Sequence, residues 1–220
     1  MCAALDRGLE RARQRMLTRH LAGRGIADQR VIDAMAVVPR ELFAPRSRAH
    51  QAYADRPLPI GMEQTISQPY MVAWMAEALE LAPGDRVLEV GTGSGYSAAV
   101  LARLCGAVYT VERHAPLADG ARALLRKLGC DSVRVRCGDG SVGWPEHAPY
   151  DAIVVAAAGP RVPGSLRDQL GSGGRLVMPL GTGGGRQALV RERRTAMGGF
   201  SREDLGSVRF VPLVGDEGWD

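Results

Sequence analysis

Aromatic residues are scarce in this chain: Phe, Trp and Tyr make up 5% of its 220 residues. Val, Leu, Ala and Ile must therefore fill the core, and an apolar fraction of 45% supplies enough of them. Lysine is almost absent. Lys127 is the sole one, so arginine carries the positive charge, a bias of composition rather than a functional signal. No apolar run approaches the roughly 20 residues of a membrane span. The charged N-terminus has no signal-peptide h-region. A cytoplasmic protein with no membrane partner is expected. The four cysteines, Cys2, Cys105, Cys130 and Cys137, show neither Cys-x-x-Cys spacing nor a histidine at zinc-finger spacing. They read as buried free thiols, with no metal site.

Charge is present but uneven. The formal net charge is +4, and residues 1–50 hold ten arginines against five acids. Such an excess could touch nucleic acid, but the pattern fits better the wet face of an amphipathic helix over residues 5–23, whose apolar side is Leu5, Leu9, Met16, Leu17 and Leu21. Asp28 is placed to cap a second helix, Gln29 to Val38, stopped before Pro39. Residues 44–69 show little periodicity and several prolines, yet keep Tyr53, Leu58, Ile60 and Ile66. They are expected to wrap the core as an irregular segment and line a site.

From Met71 onward the pattern changes. A helix to Leu79 leads to the turn Pro83-Gly84-Asp85. Strands at 87–90, 108–111, 133–136, 152–156 and 175–179 then alternate with helices at 96–104, 116–128 and 163–170. This predicts an α/β fold with a doubly wound, mostly parallel sheet. Apolar runs such as Ala152-Ile153-Val154-Val155-Ala156 suit strands covered on both faces. Gly181–Gly185 reads as a turn. Strands at 187–192 and 208–214 are expected to end the sheet as an antiparallel pair. One compact unit results: residues 1–80 as N-terminal helices and an acceptor-side segment, packed on a core at 81–220.

The central motif is Glu89-Val90-Gly91-Thr92-Gly93-Ser94-Gly95. Glycines at the carboxyl end of a strand let a ligand lie against bare backbone. A dinucleotide fold wants Gly-x-Gly-x-x-Gly; here the third position is Tyr96, which weakens that reading. No lysine follows the glycines, so no phosphate loop is present. Acids close the next two strands, Glu112 and the Asp139-Gly140 pair. Three acids at three successive strand ends suit a cationic nucleoside. Glu89 can order the turn, Glu112 can accept from both ribose hydroxyls, and Asp139 can accept from an adenine amino group. The ligand implied is S-adenosylmethionine. The cofactor residues are then Glu89, Gly91, Thr92, Gly93, Ser94, Gly95, Glu112, Asp139 and Gly140.

Further stretches carry a resemblance. They are Val38-Pro39-Arg40-Glu41-Leu42-Phe43, Leu58-Pro59-Ile60-Gly61, Gln64-Thr65-Ile66-Ser67-Gln68-Pro69, Gly138-Asp139-Gly140, Ala148 to Ile153, Leu170 to Pro179, and Val211-Pro212-Leu213. With the glycine turn, they make the chain similar to bacterial-type protein-L-isoaspartate O-methyltransferases from about Leu17 to Leu213. The resemblance implies a Rossmann-like class I methyltransferase with an N-terminal helical extension and an antiparallel C-terminal strand. It implies methyl transfer from S-adenosylmethionine to the free α-carboxylate of L-isoaspartyl residues in damaged proteins, leaving S-adenosylhomocysteine. Ser67 is then the catalytic candidate and Thr65 its neighbour, two apart and on one face if the segment is extended. Ile66, Pro59, Val211, Pro212 and Leu213 are candidates to flank the peptide. His20, His50, His114 and His147 read as surface or structural residues, since an ionised carboxylate needs no general base.

The resemblance points to a monomer acting on isoaspartyl peptides and proteins, with no nucleic-acid partner. A relative modifying one dedicated peptide aspartate is the alternative. A non-catalytic scaffold is disfavoured by the intact turn and Ser67. A nucleic-acid methyltransferase is disfavoured by Ala156-Ala157-Ala158-Gly159, where an amino-methylation motif would stand.

Overall fold

The computed structural model describes residues 2–181 and 185–219. Most of the predicted turn at Gly181–Gly185, and the thiol of Cys2, fall outside them. Nine strands and six α-helices are described: β1 Leu58–Gly61, β2 Gln64–Ile66, β3 Arg86–Val90, β4 Ala107–Glu112, β5 Val133–Cys137, β6 Tyr150–Val155, β7 Leu170–Gly181, β8 Gln187–Arg194 and β9 Phe200–Val208, with α1 Cys2–Arg15, α2 Gln29–Val37, α3 Pro69–Ala78, α4 Tyr96–Leu101, α5 Ala115–Lys127 and α6 Gly164–Asp168. None of these helices is long and apolar enough to cross a membrane.

Seven strands form one sheet in the order β5-β4-β3-β6-β7-β8-β9. The first five are parallel, while β8 runs antiparallel to both β7 and β9. Strand order reverses direction beside β3, between β4 and β6, and a crevice opens there at the carboxyl ends. Period-two alternation explains why the central parallel strands β3 and β6 carry apolar residues on both faces. Val87, Ala152 and Val154 face the cluster built with the N-terminal helices, α3, α4 and α5. Leu88, Ile153 and Val155 face the second cluster, with Leu166, Leu170 and Met178. These two central strands are thus buried on both sides, while the edge strand β5 alternates Val133 and Val135 with Arg134 and Arg136.

Three predicted elements are corrected. The helix over 5–23 is α-helical only to Arg15; Met16–Leu21 is a π-helical turn. Wider winding brings Leu21 round to the face of Met16 and Leu17, and all three are buried. Residues 44–69 are not irregular throughout. They contain a 3-10 turn at Arg46–Gln51 and the hairpin β1–β2, in which Leu58 pairs with Ile66 and Pro59 with Thr65. The last strand is Phe200–Val208, not 208–214. β9 is an exposed edge with little apolar alternation. It docks partly through charge: Arg202 joins Arg167 of α6 on the buried Glu192 of β8, at 2.8 and 2.7 Å. Burial alone would raise the Glu192 carboxyl, but these two guanidiniums hold it below the usual range.

The cysteines also differ from expectation. Cys105 is buried, and burial pushes its thiol up to about 12. Cys130 is only half-buried, and Cys137, on the last residue of the outer strand β5, is exposed.

The N-terminal segment is tied to the sheet domain by polar as well as apolar contacts. Glu77 of α3 accepts from the N–H groups of Ala27 and Asp28 at 2.6 and 2.7 Å. Asp28 caps α2 through the Arg30 N–H, and the Arg30 guanidinium donates to the Leu81 carbonyl at 2.7 Å. The β1–β2 hairpin is thereby brought over the carboxyl end of β3.

Candidate active site

β3 ends at Val90, and the chain turns through Gly91, Gly93 and Gly95, all with positive φ. Side chains at these positions would also be crowded. A Cβ on Gly93 would lie 3.2 Å from Ile60 of the hairpin, and one on Gly95 would lie 3.2 Å from Leu125 of α5. The turn is therefore packed from both sides while its backbone borders the crevice. Gly140 follows the same logic, since a Cβ there would come within 2.4 Å of Val90.

The acids expected to surround this turn are held in three different ways. Glu89 is fully buried, and its Oε2 accepts from the Thr110 hydroxyl at 2.6 Å. Thr110 in turn meets the Thr92 hydroxyl at 2.6 Å, which links the glutamate to the turn. Glu89 Oε1 has no hydrogen-bond partner; the Ser97 hydroxyl acts on the carboxyl without meeting hydrogen-bond geometry. Burial pushes Glu89 up to about 7, against the pull of the Ser97 and Thr110 hydroxyls. The sign of its effect on stability follows. Between the ordinary value of 4.5 and about 7 the folded state binds the extra proton. Stability therefore falls as pH rises through that window and levels off above it. Glu89→Gln is expected to flatten this slope, which urea melts from pH 5 to 8 would reveal.

Glu112, at the end of β4, is pinned by backbone. Its Oε2 accepts from Gly93 N–H at 2.8 Å and its Oε1 from His114 N–H at 3.0 Å. Asp139 faces its own chain: Oδ1 accepts from the Ser141 N–H and hydroxyl, and Oδ2 from the N–H of Asp216 in the C-terminal tail. Burial would raise its pKa, but these donors hold it below the ordinary value.

A cavity of about 340 Å³ lies at the crevice. Gly91, Thr92, Gly93, Ser94, Glu112 and Gly140 form one side, and Thr65, Ile66 and Ser67 of the hairpin form another. Val211, Pro212 and Leu213 close it, because the C-terminal tail crosses the carboxyl end of β6. There Ala158 N–H donates to the Val211 carbonyl at 2.7 Å and the Leu213 N–H donates to the Ala158 carbonyl at 2.8 Å. A second, wider groove of about 830 Å³ is lined by Arg24, Pro57, Tyr70, Trp74 and Phe210. Both spaces are bordered by Thr65, Ser67, Ala156 and Val211. The two hydroxyl residues therefore stand where the cavity at the glycine turn meets the larger groove.

Most of the predicted site residues meet around this junction. Gly95 caps α4 behind the turn, Glu89 lies beneath it, Asp139 sits behind Gly140, and Pro59 is in the wall of neither space. Ile60, its neighbour, is the hairpin residue that reaches Gly93. Several wall residues carried no signal in the sequence. His114, read as a surface or structural residue, borders the cavity and holds Glu112 through its backbone N–H. Tyr96 also lines it, and occupies the position that told against a dinucleotide. Tyr70 and Trp74 sit one helical turn apart on α3, with ring centroids 5.7 Å apart, and Arg24 lies 3.6 Å over Tyr70.

The residues present fit an adenosyl cation. A glycine turn without a phosphate-binding lysine offers backbone, Glu112 offers a fixed carboxylate, and the buried Glu89 leaves one oxygen unpaired beneath the turn. This sheet order and this cavity define an S-adenosylmethionine-dependent methyltransferase of the Rossmann-like class. The model of one family, described as protein-L-isoaspartate(D-aspartate) O-methyltransferase (PCMT), matches residues 11–218. The chain belongs to that family. It is 58% identical over 207 residues to protein-L-isoaspartate O-methyltransferase 1 of Rhodopseudomonas palustris strain HaA2, covering 94% of this chain and 84% of the relative. A solved protein-L-isoaspartate O-methyltransferase superposes with a TM-score of 0.83 at 31% identity, over 94% of this chain and 67% of the other. A Plasmodium falciparum protein assigned to the same activity, solved with S-adenosyl-L-homocysteine, gives a TM-score of 0.76 at 27% identity over 90% of this chain and 96% of that one.

Proposed function

We propose that this protein is a repair enzyme that methylates the free α-carboxylate of L-isoaspartyl residues in damaged peptides and proteins. The methyl ester so formed closes to a succinimide, whose hydrolysis returns some normal aspartate. The observation that carries this reading is the Thr65–Ser67 pair, bordering both the cavity at the glycine turn and the larger neighbouring groove. In this reading residues 81–220 hold the cofactor and residues 1–80 present the acceptor. The protein acts as a cytoplasmic monomer on peptide substrates and engages no nucleic acid. The matched relatives are named for isoaspartate, which favours repair over modification of one dedicated aspartate.

S-adenosylmethionine, when bound, supplies an electrophilic methyl on a sulfonium. Gly91 to Ser94, Glu112 and Gly140 would hold it, with Gly95 fixing the turn and Asp139 ordering the adenine end from behind Gly140 through Ser141 and Asp216. The acceptor is a carboxylate with a pKa near ~4, already ionised at neutral pH. No base is needed, and the chain's task is alignment. Ser67 and Thr65 donate hydroxyl hydrogen bonds that fix one carboxylate oxygen for in-line attack. Neutral donors suit this better than a guanidinium in contact with the anion, which would stabilise the ground state more than the transition state. Ile66, Val211, Pro212 and Leu213 flank the substrate backbone, so that recognition spans many sequences, while Pro59, in the wall of neither space, is left out of that set.

The test is transfer of labelled methyl to an isoaspartyl peptide and to its aspartyl twin. Labelling confined to the isoaspartyl peptide is the expected result. Equal labelling of both, or of neither, would overturn the proposal.

A further inference from the structure

Arg40 is fully buried, yet it is not held by an ion pair. Its Nε donates to the Ala52 carbonyl at 2.6 Å and its Nη2 to the Ser67 carbonyl at 2.6 Å. Among the described residues its Nη1 and the buried Tyr96 hydroxyl have no partner in full hydrogen-bond geometry, although the hydroxyl acts on the guanidinium. Two acids of the same region are engaged elsewhere: Glu41 with Arg13 and Asp55 with Arg24. The guanidinium lies over the ring of Tyr96, its Cζ 4.6 Å from the centroid. Tyr96 is the first residue of α4, directly after Gly95 of the glycine turn, and it lines the cavity. Phe43 packs edge-on against the other side of this arrangement, 5.6 Å from the Tyr96 ring.

A buried cation with an unmade hydrogen bond is expensive, and an apolar side chain would fill the space without that cost. Burial accordingly lowers the Arg40 pKa. What an apolar residue could not do is grip two carbonyls with one planar fork. One of those carbonyls belongs to Ser67. The ring beneath the fork belongs to the residue that leaves the glycine turn. Arg40 is thus the side chain that touches both the acceptor loop and the cofactor turn's helix, from behind the cavity.

We propose that Arg40 is a positioning residue for methyl transfer: by holding the Ser67 carbonyl while resting on Tyr96, it sets the Ser67 hydroxyl in register with the glycine turn. It does not reach the substrate, since no part of it is exposed. This inference rests on the role given to Ser67 above. Its effect must therefore pass through that hydroxyl.

The experiment is a double-mutant cycle of R40K and S67A, with kcat and KM for an isoaspartyl peptide, calorimetric affinity for S-adenosylhomocysteine, and a melting temperature for each variant. R40K keeps the charge but offers a single point in place of a fork. It is expected to lower kcat about 10-fold in the parent chain and less than about 2-fold in the S67A background. The cofactor affinity of R40K should stay within about 2-fold of the parent, because Tyr96 and the turn remain. A purely architectural role would lower the melting temperature and cost the same factor in both backgrounds, and that additivity would overturn the proposal. So would an unchanged kcat in R40K while S67A is slow. If S67A itself keeps full kcat, the assignment of Ser67 fails first and this proposal falls with it. Should R40K not fold, Arg40→Gln, whose shorter neutral donor ends where Nε lies and so can serve Ala52 but not Ser67, is carried through the same cycle with the same expectations.

Discussion

Glu112→Ala is expected to weaken binding of S-adenosylhomocysteine by about 100- to 1,000-fold, with a much smaller effect on kcat once cofactor is saturating. The carboxylate is only 5% exposed, lines the cavity and is fixed at both oxygens by the Gly93 and His114 N–H groups. Each oxygen keeps a further lone pair. A vicinal diol presents two O–H donors at a spacing that a carboxylate matches. Hydrogen bonds to a charged group contribute about 1.5–3 kcal/mol each, so losing two costs about 3–6 kcal/mol, and the lower part of that span gives the stated range. The pinning adds to the effect. Without the carboxylate, Gly93 N–H loses its partner, and the turn whose φ of 53° it steadies is freed. Glu112→Gln separates these contributions. Its amide oxygen can still serve one N–H, while its NH₂ opposes the other, so an intermediate loss is expected. Titration calorimetry measures all three proteins, and an affinity within about 3-fold of the parent in Glu112→Ala would contradict the ribose assignment.

The parallel half of the fold was legible because burial on both faces leaves an unmistakable trace. Ala152 to Val155 alternate between two apolar clusters, so no polar residue interrupts them. The hairpin was not legible for the converse reason. Strands of four and three residues give no room for alternation, and one contains Pro59. Its turn carries positive φ at Met62 and Glu63, where glycine or asparagine would have announced it. β9 escaped because charge holds it at the sheet edge, while the apolar run at 210–214 that looked like a strand is the tail crossing the cavity. The site shows the same division. Glu89 to Gly95 declares itself because each glycine answers a backbone demand. Arg40 does not, since an arginine after a proline reads as surface, and only the fold shows that its fork meets the Ser67 carbonyl.

Ser67→Ala is expected to lower kcat for an isoaspartyl peptide by about 100-fold while leaving the affinity for S-adenosylhomocysteine within about 3-fold. The residue follows β2, whose Ile66 is buried against Leu58, so the hairpin's apolar anchor is independent of the hydroxyl. The Ser67 carbonyl is held by Arg40, and alanine keeps that hydrogen bond. Loop position is therefore retained, and what is lost is one donor at the junction of cavity and groove. A donor aimed where the reacting oxygen must sit contributes about 3–4 kcal/mol when it acts on the transition state. Thr65, on the same border, limits the loss by retaining a second hydroxyl, and Thr65→Val in the Ser67→Ala background should remove most of what remains. The pH dependence gives an independent check. The acceptor carboxylate is ionised well below neutrality and Glu89 is common to both proteins, so the shape of the kcat profile from pH 6 to 8 should be the same in parent and variant. A new ionisation in the variant's profile, or a large loss of cofactor affinity, would mean that Ser67 serves the cofactor or a proton rather than the orientation of the acceptor.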